Sequence, residues 1–189
     1  QTPVALVYDT GGYDATLDGA MKTADVAGFA ARKAEAGKRG KLRGIGYASY
    51  IEACGIAPSN VAGALGARAG LFEAGEVRVH PTGKVHVLIG ASPHGQGEET
   101  TFAQLVANEI GVGVEDVKVV HGDTDTTPMG WGTYGSRTTA VGGAALILAA
   151  RKIKEKAKVI AAHLLEAAVE DIDYVDGKFF VAGSPDKAK

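Results

Sequence analysis

Two glycine-rich segments carry the residue types best suited to chemistry. One is His94-Gly95-Gln96-Gly97-Glu98-Glu99-Thr100, and the other runs from Pro128 through Gly130, Gly132, Thr133, Gly135, Ser136 and Arg137 to Thr138 and Thr139. Each opens a predicted helix. Glycine admits a ligand to the backbone because no Cβ stands in the way, and the first turn of a helix leaves N–H groups without partners. Such junctions attract anions, phosphates above all. In the first segment Gln96 adds an amide that donates and accepts at once, which suits the edge of a heterocycle. In the second, Thr133, Ser136, Thr138 and Thr139 supply hydroxyls and Arg137 a forked cation, the parts of a phosphate or pyrophosphate site. Taken singly, each loop also reads as a capped helix start, with Arg137 in a surface salt bridge. Together they predict a cradle for one extended, phosphate-bearing cofactor.

Other candidates are weaker. His121-Gly122-Asp123-Thr124-Asp125-Thr126-Thr127 spaces its carboxylates like a calcium loop but lacks that loop's later glycine and distal glutamate. Asp123, Thr124 and Asp125 are better suited to hydrogen-bond a base or sugar. The five histidines show no metal-ligand spacing, so His80, His86 and His163 read as structural. Cys54 falls in a predicted apolar strand and reads as packing. No nucleophile or acid–base triad assembles, so neither a catalytic residue nor a metal ligand is assigned. Neither loop is a Walker A or a dinucleotide-binding fingerprint.

The elements that must position these loops follow from periodicity. Residues 13–38 have helical spacing (Leu17, Ala20, Met21, Ala24) with a break near Gly28, and end in a basic patch of Arg32, Lys33, Lys38, Arg39 and Lys41 that reads as a solvated helix end. Residues 42–55 read as a strand, 58–66 as a connection, and 67–80 with 84–91 as a hairpin about Pro81-Thr82-Gly83. A helix over 98–110 with Gly111 as its left-handed stop, a strand over 116–121 and a long functional loop over 122–136 follow. Residues 137–169 read as one helix, buried at first and then emerging into water, and 171–182 as a hairpin turning at Asp176-Gly177. The sum is an α+β fold, a mixed or antiparallel sheet with packed helices.

Bulk properties narrow the function. The 189 residues suit a single domain over 1–189, and a net charge of −2 offers no field for nucleic acid or an anionic membrane. The 27 glycines exceed the ordinary share of about 7% and concentrate in loops and strands. Residues 140–150 form the longest apolar run, too short to span a bilayer. Lone Cys54 excludes an internal disulfide and fits a reducing compartment, so we expect a cytoplasmic protein. The start at Gln1 and the polar end lead us to expect a fragment of a longer catalytic subunit.

Three motifs in order resemble a known family. They are Gly95-Gln96-Gly97 with Glu99, Thr100, Thr101 and Gln104; Gly122-Asp123-Thr124-Asp125-Thr126-Thr127-Pro128; and Gly130 through Gly132-Thr133-Tyr134-Gly135-Ser136-Arg137-Thr138. Gly44-Ile45-Gly46, Tyr50 through Gly55, and Tyr8-Asp9-Thr10-Gly11-Gly12-Tyr13 fit the same pattern. The chain resembles, along essentially its whole length, the large molybdenum-binding subunit of the xanthine oxidase family, nearest its carbon monoxide dehydrogenase and aldehyde dehydrogenase branches.

The resemblance implies a molybdopterin-binding domain of a molybdenum hydroxylase, an oxidoreductase that uses water-derived oxygen on carbon monoxide, an aldehyde or a heterocycle. It implies molybdenum held by molybdopterin cytosine dinucleotide, with the rest of the large subunit and iron–sulfur and FAD subunits as partners. Carried over by motif, Gly95, Gln96 and Gly97 would meet the pterin and its phosphate. Thr133, Gly135, Ser136, Arg137 and Thr138 would meet the pyrophosphate and nucleotide end, and Asp123, Thr124 and Asp125 would lie near the cytidine. Departures bound the expectation. The resemblance places the family's catalytic Gly-x-Gly-Glu motif far downstream of these loops and its copper-binding cysteine loop upstream of them, and neither is identified in those places; Glu98 stands where the family often has His. The isolated chain is therefore expected to be inactive. A stand-alone, non-catalytic cofactor- or nucleotide-binding module is the alternative, and a purely structural domain the third reading.

Overall fold

Helical spacing in residues 13–38 resolves into α1 (Tyr13–Thr23) and α2 (Phe29–Lys38) in a computed structural model that describes residues 11–50, 54–55, 59–64 and 66–188. Asp14 in the first turn and Lys22 in the last complement the dipole of α1. The predicted break falls where expected. Asp25 adopts a left-handed φ of 47°, its carboxyl accepts the Gly28 N–H at 3.1 Å, and Arg32 pairs with it. Residues 41–50 form no regular structure, although their alternation predicts a strand. Leu42 and Tyr50 are almost wholly exposed. Alternation makes a strand only where a neighbour supplies the ladder, and among the described residues none does. The rest of that prediction, residues 51–53, and the motif residues Tyr8, Asp9 and Thr10 lie outside the described residues. The chain divides into two compact units, Gln1–Tyr50 and Ile51–Lys189.

The second unit contains both glycine loops. A short helix α3 (Ser59–Ala64) occupies part of the predicted connection. Strands β1 (Gly75–Val79) and β2 (Val85–Ile89) pair antiparallel; β3 (Val117–Val120) then pairs parallel to β2, giving a mixed sheet of order β1-β2-β3. The crossover from β2 to β3 is α4 (Glu98–Ile110), stopped by Gly111 at φ 63° as its sequence predicts. The first hairpin strand is shorter than predicted because residues before 75 turn their carbonyls to another partner, described below.

The long helix is not α-helical from its start. It opens as a π segment, Thr138–Gly143, and continues as α5 (Ala144–Leu165). Phe102 and Val106 of α4 meet Leu146 and Ala150 of α5 over the inner face of β2, Val85, Val87 and Ile89; this is the main core. A second core forms where Ala161 and Ala162 receive Ile172 of β4 (Ile172–Val175). The far half of α5 therefore does not simply emerge into water: one face is covered by a sheet of β4, β5 (Lys178–Val181) and β6 (Ser184–Ala188), while Val159, Ile160 and Leu164 stay more than half exposed. The β4–β5 turn is the predicted Asp176-Gly177 pair, both left-handed at φ 48° and 82°. Strand β6 was not predicted from its polar residues, which suit a solvent-facing edge. The fold is α+β, with one mixed and one antiparallel sheet. Among the described residues no helix is long and apolar enough to cross a membrane.

Candidate functional site

Gly95 and Gly97 adopt φ values of 100° and 79°, and Gly97 is the N-cap residue of α4. A Cβ at either position would meet no atom within 4 Å, so the loop is open on the side that a side chain would fill. Between them Gln96 is oriented at both ends. Its Oε1 accepts the His94 backbone N–H at 2.5 Å, and its Nε2 donates to Glu98 Oε1 at 2.5 Å.

The second loop is organised from within. Arg137 is wholly buried, and its Nη1 reaches Glu73 Oε2 at 3.0 Å and the Gly132 carbonyl at 2.7 Å. Nη2 donates to the Leu71 and Phe72 carbonyls at 2.8 and 3.0 Å. Those carbonyls are the ones withheld from the predicted strand. Glu73 Oε2 also accepts the Gly132 N–H at 3.1 Å, so one ion pair ties residues 71–73 to both ends of the turn. The forked cation that the sequence assigns to a phosphate thus faces inward. The surface salt bridge considered beside that assignment is instead a buried one, and the arginine shapes the loop from beneath. Gly130 is required by the same packing, since a Cβ there would lie 1.3 Å from Glu73 Oε1. Ser136 holds a left-handed φ of 48°, a strained conformation for a residue with a side chain, and its carbonyl accepts the Gly55 N–H at 3.0 Å.

The two loops meet in one cavity of about 620 Å³, lined by His94, Gln96, Glu98, Thr133, Ser136 and Thr138 among others. A chain of hydrogen bonds runs across its wall. Thr138 Oγ1 donates to Thr133 Oγ1 at 3.0 Å, and Thr133 Oγ1 donates to Glu98 Oε1 at 3.3 Å, where Gln96 also arrives. Glu98 is 3% exposed, and its Oε2 has no partner. A buried acceptor without a donor costs about 1–3 kcal/mol. Glu73 and the bonding of Glu98 were missed from sequence. The signal for Glu73 was that it is the one acid among residues 67–75, where a buried cation partner is the usual reason for a carboxylate.

The Asp123 segment lies apart from that cavity. Asp123 turns onto its own loop, its carboxyl taking the Asp125 N–H at 3.0 Å and its carbonyl the Thr127 hydroxyl at 2.7 Å. Thr124 lines a second cavity of about 470 Å³ with Gly90, Ser92, Gly122, Thr127 and Pro128. Asp125 is exposed. His80 and His86 pack edge to face at 4.5 Å between ring centres. Cys54 is exposed and falls in a turn, where a strand was predicted. Among the described residues no group of three or more His, Cys, Asp or Glu side chains gathers as a metal-ligand set.

An open glycine loop and a hydroxyl-lined turn share one cavity on an α+β scaffold. The chain belongs to the family of molybdopterin cofactor-binding domains, whose model matches residues 19–189. It is 43% identical to the carbon monoxide dehydrogenase large chain of Afipia carboxidovorans over 99% of this chain and 24% of that one. It is 32% identical to the nicotine 6-hydroxylase large subunit of Paenarthrobacter nicotinovorans over 96% of this chain and 22% of that one. Among solved structures, a Cu,Mo-CO dehydrogenase in its carbon monoxide reduced state matches with a TM-score of 0.70 and 42% identity, covering 100% of this chain and 24% of that one. The chain therefore spans about a quarter of the length of these relatives.

Proposed function

We propose that this chain is the part of a molybdenum hydroxylase large subunit that holds the molybdopterin cofactor, and that both of its compact units belong to that one domain. The family match supports the second point, because it begins inside the first unit at residue 19 and runs to residue 189. The observation that carries the proposal is the shared cavity, in which the Gly95–Gly97 loop and residues 133–139 are joined through Glu98.

The residues fit such a group. Gly95 and Gly97 leave open space where side chains would stand, and the hydroxyl-bearing residues Thr133, Ser136 and Thr138 line the same cavity. When bound, the molybdenum centre supplies the oxidation chemistry; the residues of this chain bind and orient. Gly95, Gln96 and Gly97 receive the pterin. Thr133, Gly135, Ser136 and Thr138 meet the phosphates through backbone N–H groups, the Thr138 and Thr133 hydroxyls being given to Thr133 and Glu98, and Arg137 contributes by holding that turn in shape. Thr124, with Asp123 and Asp125 beside it, receives the nucleotide end, for which we propose the cytosine dinucleotide form. Substrate oxidation, on carbon monoxide, an aldehyde or a heterocycle, requires residues of a longer subunit, with iron–sulfur and FAD subunits taking the electrons in the cytoplasm. The stand-alone module is not favoured, because nearly the whole chain aligns within enzyme large chains.

Extraction of the purified full-length protein tests this reading. Molybdenum, a pterin and cytidine monophosphate released together are expected; a preparation that releases none of the three would overturn it.

A further inference from the structure

We propose that Phe72, Met129, Trp131 and Tyr134 form a docking surface for an uncharged, apolar segment of the same large subunit outside residues 1–189, and that this one segment closes both cavities. The inference rests on the reading of the chain as part of a longer subunit and names where the remainder seats. All four side chains are exposed, Met129 at 71%, Phe72 at 47%, Tyr134 at 42% and Trp131 at 38%. Yet they gather around one knot of backbone. The Trp131 N–H donates to the Phe72 carbonyl at 3.4 Å, and the same carbonyl accepts Arg137 Nη2 at 3.0 Å. The Arg137 guanidinium lies 5.2 Å from the centre of the Tyr134 ring. Beneath them Glu73 and Arg137 are wholly buried against each other. The loop is fixed before any partner arrives, which spares a docking segment the cost of ordering it.

Composition names the chemistry of the occupant. Residues 128–136 include no Asp, Glu, Lys or Arg, and Met, Trp, Tyr and Phe are the types that the core of a protein interface concentrates while it sheds charge. Single apolar side chains on a surface are ordinary; four around one fixed turn mark a contact. Glu73 and Arg137 neutralise each other, so the knot offers no counter-charge to an acidic or basic partner. The relatives supply the source. The chain covers 24% of a carbon monoxide dehydrogenase large chain, so about three quarters of such a subunit lies elsewhere in its sequence. Position gives the consequence. Tyr134 lines the cavity of about 620 Å³ and Met129 the cavity of about 470 Å³, so a segment resting on both side chains covers both rims. It keeps water from both cavities, and a bound cofactor leaves only when the segment lifts.

Photocrosslinking of the full-length protein tests the surface. Met129→p-benzoylphenylalanine, a change at an exposed side chain, should on irradiation join its peptide to a peptide of the same large subunit outside residues 1–189. The crosslink should form in cofactor-loaded and cofactor-free protein alike. Hydroxyl-radical footprinting of the wild type gives an independent reading: Met129 and Trp131 should be strongly protected in both states relative to the urea-unfolded chain. Met129→Lys puts a charge into the docked patch and should speed loss of cofactor on dialysis about tenfold. A crosslink to another subunit, to an isotope-labelled second copy, or only to residues within 1–189 overturns the inference. So does protection that vanishes when the cofactor is removed, or a Met129 oxidised as fast as in the unfolded chain. In each of those cases the cofactor reading stands if the protein releases molybdenum and a pterin. A protein that crosslinks as expected but carries no pterin keeps the docking surface and loses the cofactor reading.

Discussion

The guanidinium of Arg137 and the carboxyl of Glu73 are buried together, so removing either side chain strands the other away from water. Arg137→Ala should lower stability by about 3–5 kcal/mol, read as a shifted denaturation midpoint. Arg137→Lys should recover only part of that loss, because an ammonium cannot serve Glu73, Gly132, Leu71 and Phe72 from one plane. Were Arg137 a surface phosphate ligand instead, Arg137→Ala would leave the apo-protein's midpoint within about 0.5 kcal/mol. Gly97 makes a second case at this scale. Its Cβ direction is open but its φ of 79° is not, so Gly97→Ala should cost about 1–2 kcal/mol in the apo-protein through backbone strain alone.

Helix α4 is the element that joins the site to the scaffold. Its first turn holds Glu98, its middle packs Phe102 and Val106 into the core, and its last turn docks onto α5 through Glu109, which meets Lys154 Nζ at 2.9 Å and Arg151 at 3.5 Å. The Lys154 hydrogen bond, ahead of the opposing desolvation, holds the Glu109 carboxyl below its ordinary value of 4.5. A carboxyl depressed in the folded state stabilises the fold above its unfolded value and loses that contribution as pH falls through the folded one. The melting temperature should therefore drop as pH is lowered below about 4.5, and Glu109→Gln should flatten part of that dependence, measured by thermal melts across pH.

Helix α4 also shows what sequence can reveal of an element. Its apolar spacing and Gly111 stop are local signals, and they suffice for its bounds; the Asp176-Gly177 hairpin is legible for the same reason. Over the described residues 42–50 of the strand predicted for 42–55 none forms, because alternation does not say whether a partner strand exists. The π opening of the long helix depends on contact between elements, since Gly142 and Gly143 bring it against Phe102 and Leu105 of α4. The same limit governs the site. Both glycine loops are visible as motifs, but that Arg137 faces Glu73, 64 positions away in the chain, is a tertiary fact no spacing encodes.

At the scale of the whole molecule, the chain belongs to the molybdopterin cofactor-binding domains and covers 24% of a carbon monoxide dehydrogenase large chain. Its scaffold is arranged so that two loops distant in sequence share one cavity, with Arg137 used to build a loop from beneath. The most direct test is the molybdenum and pterin content of the purified full-length protein beside that of its Gln96→Ala variant. Near-stoichiometric content in wild type, reduced about tenfold in the variant with its melting temperature in the apo form preserved, is the predicted result. Equal content in the two proteins, or none in wild type, would contradict the account.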